Sequence, residues 1–245
     1  MMDVVMVLIH SPLVGPATWS PVADELRRRG VGVAVPELAD ADRPPFWEQH
    51  VAAVVQRAEA IPAGVPLVLA GHSGAGPLLP VVGRRVGRPV AAHVFVDASV
   101  PVDGASRLDL MAAEDPAFAA EFRRHLEAGG RFPDWGEEDL RGAVPNPRIR
   151  RRLAEELRPR ALTFFQEPIP VPAGWPDAPC GYLKFSAAYA SPAGRARRVG
   201  WAYRELDGGH FHMLVDPPAV TEALLDLVEH LAGHPATEGA PPPPA

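Results

Sequence analysis

Short, almost unbroken apolar runs alternate along this chain with longer stretches in which apolar positions recur every three to four residues. Residues 4–9, 31–35, 66–70 and 91–96 are runs of strand length, the pattern of strands covered on both faces of a sheet. Between them the period becomes helical. Ser20 and Pro21 open a helix, the serine able to cap and the proline at its first position, and Gly30 ends it. Residues 46–61 place Trp47, Val51, Val54, Val55, Ala58 and Ile61 on one face. Residues 77–86 form the next helix, with Pro80 in its first turn, where it is tolerated.

From residue 98 to 179 no buried strand is expected. Helical stretches appear at 106–113, 116–128 and 146–158. The alternation then returns: strand at 181–185, helix at 192–199, strand at 201–206, helix at 219–231. Alternating strands and helices imply a mostly parallel sheet flanked by helices, joined by right-handed crossovers. The expected organisation is an α/β core at 1–97 and 180–233, a helical cap at 98–179, and a proline-rich, disordered tail at 234–245.

Composition narrows the class. An apolar share of 47% in 245 residues supports one large core. No run of eighteen apolar residues exists, so no membrane span is expected. The first residues lack a basic region followed by a cleavage site, and a cytoplasmic protein is the expectation. The single cysteine, Cys180, excludes an internal disulfide and a cysteine-based metal cluster. A net charge of -6 argues against nucleic acid as a partner.

The chemistry concentrates at two places. Residues 67–76 read Leu-Val-Leu-Ala-Gly-His-Ser-Gly-Ala-Gly. A strand that bends sharply into a helix needs small residues, and Gly71, Gly74, Ala75 and Gly76 provide them. The residue at such a bend, Ser73, is exposed at a helix N-terminus, where free N–H groups favour developing negative charge. Far downstream, after the strand at 201–206, comes Asp207-Gly208-Gly209-His210-Phe211-His212-Met213. A serine hydroxyl needs a base, and imidazole titrates in the useful range.

Serine before histidine, each after a strand, resembles the α/β-hydrolase superfamily and its small esterase-like members. The likeness rests on residues 4–19, 67–80 and 201–217. It implies the α/β-hydrolase fold, with the helical cap between the sixth and seventh family strands. It also implies Ser73 as nucleophile, His210 as base and Gly74 N–H as an oxyanion donor. The second donor of the family comes from the loop after the first central strand. Here that loop reads His10-Ser11-Pro12-Leu13, and the expected position falls on Pro12, which has no N–H. Leu13 N–H or the Ser11 hydroxyl are the substitutes. The loop is similar to that of plant methyl-ester esterases and hydroxynitrile lyases. In the lyases a hydroxyl residue at the position of Ser11 contacts substrate. His10 reads as an anchor.

The third member of the triad is open. The usual position, in residues 183–191, holds no acid. Asp97, at the end of the strand 91–96, is the first candidate. The resemblance supplies precedent, since haloalkane dehalogenases and some lipases carry their acid after this strand. Asp207 is the second, and a Ser–His dyad the third. His210 and His212, two residues apart, point to opposite faces of an extended segment, so no metal is expected. Nor is a cofactor, since side chains and water suffice.

The cap aromatics, among them Phe118, Phe122, Phe132, Trp135, Phe164, Phe165 and Trp175, favour an apolar small-molecule substrate. Arg148, Arg150, Arg151, Arg152, Arg158 and Arg160 form either a solvated helix face or a docking surface for a substrate carboxylate or an acidic carrier; a homodimer is a further option. The expected activity is hydrolysis of a carboxylic ester or thioester. The rivals are a lyase on the same Ser–His site and a non-catalytic binding protein.

Overall fold

The computed structural model describes residues 4–233, and the expected tail at 234–245 lies outside the described residues. Six strands form one sheet: β1 (Val5–Ile9), β2 (Gly32–Ala34), β3 (Leu67–His72), β4 (Val90–Val96), β5 (Cys180–Lys184) and β6 (Ala202–Glu205). Their order is β2-β1-β3-β4-β5-β6, and every pairing is parallel. The helices of the described residues are α1 (Ser20–Arg28), α2 (Phe46–Glu59), α3 (Leu79–Arg85), α4 (Arg107–Glu114), α5 (Pro116–Glu127), α6 (Pro147–Glu155), α7 (Leu162–Phe165), α8 (Ala190–Arg198), α9 (His212–Val215) and α10 (Pro217–Gly233).

The apolar runs are unbroken because both faces of the sheet are covered. Met6, Leu8, Val68, Ala70, Val94 and Val96 pack with Val22 and Leu26 of α1 and with Leu224 and Leu227 of α10. The alternate positions, Val7, Ile9, Leu67, Leu69 and Phe95, pack with Val51 and Val54 of α2, Val82 of α3 and Ala196 of α8. Among the described residues no helix is long and apolar enough to cross a membrane.

Several local expectations change. Ser20 does not cap α1; Trp19 holds that position, and the Ser20 hydroxyl donates to the Pro16 carbonyl at 3.3 Å. The capping role falls instead to Ser106. It accepts the Asp109 N–H, while the Asp109 carboxylate accepts the Ser106 N–H, a reciprocal pair that starts α4. The short helices α7 and α9 were not expected, since four residues are too few to show a period. Residues 98–179 contribute α4 to α7 and no strand of the sheet. Several arginines of this segment are paired, within it or with the loop after β2: Arg150 on the Val144 and Pro145 carbonyls, Arg151 on Glu137, Arg152 on Glu156, Arg158 on Glu37, and Arg160 on Asp40 and Asp42.

The bend after β3 is tighter than a strand running straight into an α-helix. β3 extends through Gly71 and His72, and a 3-10 turn, Ser73–Leu78, precedes α3. That turn passes so close to the segment after β4 that a Cβ on Gly76 would run into the Ser99 carbonyl oxygen. Backbone cannot yield as a flexible side chain can. Gly76→Ala is therefore expected to lower stability by about 1–3 kcal/mol, read from the urea midpoint. An unchanged midpoint would mean that the two segments move apart freely.

Candidate active site

Two neighbouring strands end alike. Ser73 follows β3 with φ 56°, and Asp97 follows β4 with φ 41°. Positive φ costs a non-glycine residue about 1–2 kcal/mol, and such strain gathers where surrounding structure holds a functional group in place.

The surroundings of Asp97 are complete. It is fully buried. Its Oδ1 accepts the backbone N–H groups of Phe185 and Ser186, each at 2.9 Å. Its Oδ2 accepts the Ser186 hydroxyl at 2.6 Å and His210 Nδ1 at 2.7 Å. Burial pushes this carboxyl up, but the His210 and Ser186 hydrogen bonds outweigh it, and the net shift is below the usual carboxylate range. An ionised carboxylate only accepts, so Nδ1 carries the proton and Nε2 of neutral His210 is the basic nitrogen. Asp207, the other acid considered, is exposed, and the His210 Nδ1 bond goes to Asp97.

His210 is also held through its backbone. The His72 Nε2–H donates to the His210 carbonyl at 3.0 Å. Burial, reinforced by the neighbouring His210, holds His72 well below the usual histidine range, so it stays neutral. The residue next to Ser73 thus grips the residue that carries the imidazole.

Ser73 Oγ makes its hydrogen bond to the Tyr189 hydroxyl, at 3.1 Å. The Tyr189 ring stacks on the His210 imidazole, with 4.9 Å between centroids and 8° between planes. Ser73, Tyr189 and His210 line one cavity of about 470 Å³. The segment between β4 and β5 supplies much of its wall, including Leu110, Met111, Phe132, Trp135 and Phe165.

The loop after β1 places Ser11 against the bend: the point where a Gly74 Cβ would stand is 3.2 Å from Ser11 Oγ and 3.7 Å from Pro12 Cδ. Leu13 N–H turns onto Ser11 Oγ at 3.4 Å, so it is already directed at the serine. Ser11 keeps its own O–H to donate. His10 holds this loop, with Nδ1–H on the Ser11 carbonyl at 2.8 Å and Nε2 accepting the Leu38 N–H at 3.3 Å. His212 lies off the cavity wall and packs on Phe185 instead, 5.6 Å between ring centroids. Trp175 likewise packs on Phe95 and Trp201.

Three residues around this site were not evident in the sequence: Tyr189, Ser186 and Arg107. Arg107 lines the cavity, is 6% exposed, and lies over the Phe164 ring with 4.2 Å from its guanidinium carbon to the centroid. Burial lowers its pKa to about 10, with Arg160 adding to the fall and Glu167 opposing it, so it remains a cation at neutral pH. Among the described residues no cluster of three or more His, Cys, Asp or Glu side chains could hold a metal ion.

The sequence profile of the alpha/beta hydrolase family matches residues 6–224. The chain belongs to that family and is an enzyme of the hydrolase class. A search of curated proteins returned no match. Among solved structures it is similar to an extracellular alpha/beta-hydrolase from a Paenibacillus species, described as sharing structural and functional homology with tobacco salicylic acid binding protein 2. The identity is 22%, the TM-score 0.72, and the likeness covers 91% of this chain and 98% of that one. It is also similar to tomato methylketone synthase I bound to 2-tridecanone, at 14% identity and TM-score 0.70, covering 94% of this chain and all of that one. A pyrethroid hydrolase from Sphingobium faniae is a third, at 19% identity and TM-score 0.69, covering 94% and 99% of the two chains. Likenesses at such identities speak to the fold.

His10 generates a pH dependence of stability. Burial holds its pKa at about 4, against 6.5 for an unburied histidine. Protons therefore favour the unfolded chain. The stability is whole above pH 6.5 and falls as the pH drops toward 4, by about 1.4 kcal/mol per unit for each such histidine. In His10→Gln, proton uptake on unfolding near pH 5 is expected to fall by about one, giving a shallower plot of Tm against pH. Equal slopes would place the acid sensitivity elsewhere.

Proposed function

We propose that this protein is a serine hydrolase cleaving a carboxylic ester or thioester of a small, largely apolar substrate through an acyl-enzyme on Ser73. The observation that carries the reading is the 2.7 Å bond from Asp97 to His210 Nδ1, which leaves Nε2 free beside the cavity that Ser73 lines.

In this mechanism Ser73 Oγ leaves its bond with Tyr189 and attacks the carbonyl carbon as its proton passes to His210 Nε2. Asp97 stabilises the imidazolium and holds its orientation. The tetrahedral oxyanion takes hydrogen bonds from Gly74 N–H and the Ser11 hydroxyl. His210 then gives its proton to the departing alcohol or thiol. Water, deprotonated by the same nitrogen, attacks the acyl-enzyme and releases the acid. The residues between β4 and β5 act as a cap whose apolar wall selects the acyl or alcohol group.

A second reading, a lyase that uses Ser73 and His210 to move protons, is favoured by one observation: the Ser73 hydroxyl rests on Tyr189 instead of His210. Turnover in ¹⁸O-water separates the two, because only hydrolysis puts the label in the acid product.

A fluorophosphonate probe with mass mapping tests the nucleophile. Labelling is expected at Ser73 and absent in Ser73→Ala; a parent protein that takes no label loses this reading. Asp97→Asn is expected to slow labelling by about 10³–10⁴-fold, since the imidazole would lose both its acceptor and its tautomer. Labelling at the parent rate would leave a Ser–His dyad.

Tyr189→Phe should act in the opposite direction. A neutral hydrogen bond contributes about 0.5–1.5 kcal/mol, so freeing the hydroxyl is expected to speed labelling by roughly two- to tenfold. A slower rate would instead give Tyr189 the task of holding Ser73 toward its base.

A further inference from the structure

Among the described residues, the one arginine buried in the cavity wall has no hydrogen-bond acceptor. Arg107 opens α4, and its Nε, Nη1 and Nη2 are all buried without a hydrogen-bond partner among the described residues. A guanidinium carries five N–H donors in a planar fork, and leaving them unmet in an apolar setting is unfavourable. The Phe164 ring covers one face of the plane but offers nothing to its edge. The charge of Glu167 acts on Arg107, yet its two oxygens accept the Phe46 and Trp47 N–H groups at 2.6 and 2.9 Å, starting α2. The neighbouring Arg160 is paired with Asp40 and Asp42. The acid that does line the cavity, Asp139, is exposed, and its Oδ2 accepts the Gly136 N–H at 2.7 Å.

The place of the fork matters as much as its lack of partners. Arg107 Nε is 3.9 Å from the point where a Gly74 Cβ would stand, the same point that Ser11 Oγ approaches to 3.2 Å. The guanidinium therefore sits beside the two proposed oxyanion donors, in a cavity otherwise lined mainly by apolar side chains. A planar fork meets a carboxylate through two parallel hydrogen bonds, its strongest common pairing.

We infer that Arg107 is a specificity-determining residue and that the substrate is an ester whose acyl part carries a second carboxylate, a few atoms from the carbonyl under attack. The ester half of this statement rests on the hydrolase reading above; the carboxylate half rests on Arg107 alone. The second carboxylate enters the cavity ionised and lies along the guanidinium edge. The ester carbonyl is thereby directed to Gly74 and Ser11, and the alcohol part lies along the aromatic wall.

The test compares two ligands of one shape, monomethyl succinate and methyl succinamate, which differ by a carboxylate against an amide. Each is titrated into Ser73→Ala, following binding by calorimetry. The carboxylate is expected to bind at least tenfold more tightly. Equal binding overturns the inference with no change made at Arg107, so the test survives a poorly folding variant. In Arg107→Met, added to the same background, the preference should shrink to within about twofold; a preserved preference would move recognition away from Arg107 and also overturn it. The Ser73 protein should show the matching preference in kcat/KM for release of methanol. If fluorophosphonate fails to label Ser73 while the carboxylate preference persists, the hydrolase reading falls and the anion site stands.

Discussion

A buried carboxylate with four hydrogen bonds organises this molecule. Asp97 ends β4, receives two backbone N–H groups and a hydroxyl from the segment that follows β5, and bonds the imidazole that follows β6. A charge taken out of water is tolerable only where its lone pairs are met. Meeting them ties together the carboxyl ends of three adjacent strands. The left-handed backbone at Asp97 is the local strain that this tie sustains. Ser73, at the end of the next strand, shows the same strain and is secured by a second tie, from its neighbour His72 to the His210 carbonyl.

The cavity joins two kinds of surface. The carboxyl end of the sheet contributes the polar groups, and the segment between β4 and β5 contributes apolar walls. Arg151, Arg152, Arg158 and Arg160 hold the segment to itself and to the loop after β2, through Glu37, Asp40, Asp42, Glu137 and Glu156. Arg107 comes from a different helix and faces the other way, into the cavity.

The alternation of apolar runs carried the fold, because a parallel sheet buried on both faces leaves few polar positions to blur the pattern. The bend at Ser73 and the Gly-Gly-His segment were legible for a similar reason: tight backbone passages admit only small residues. Asp97 could be approached from the sequence only because the usual acid position is vacant of Asp and Glu, and nothing local announces its four donors. Tyr189 and Ser186 lie on a turn whose path over His210 depends on how β5 ends, which no short period encodes. The burial of Arg107 is likewise a tertiary property. In the sequence it is one arginine among many, and the eye goes to the cluster at 148–160 instead. The 3-10 turns and four-residue helices escape because they are shorter than the period that would reveal them.

The tie between Asp97 and His210 spans 113 residues of chain. Closing so long a loop carries an entropic cost that contacts nearer in sequence reduce. A ribosome delivers the bend at Ser73 well before it delivers the imidazole. Until β5 and β6 have docked, the emerging polypeptide holds a hydroxyl with no proton acceptor in reach. The proposed reactivity thus depends on β5 and β6 being in place, since the segments after them supply the donors to Asp97 and the imidazole.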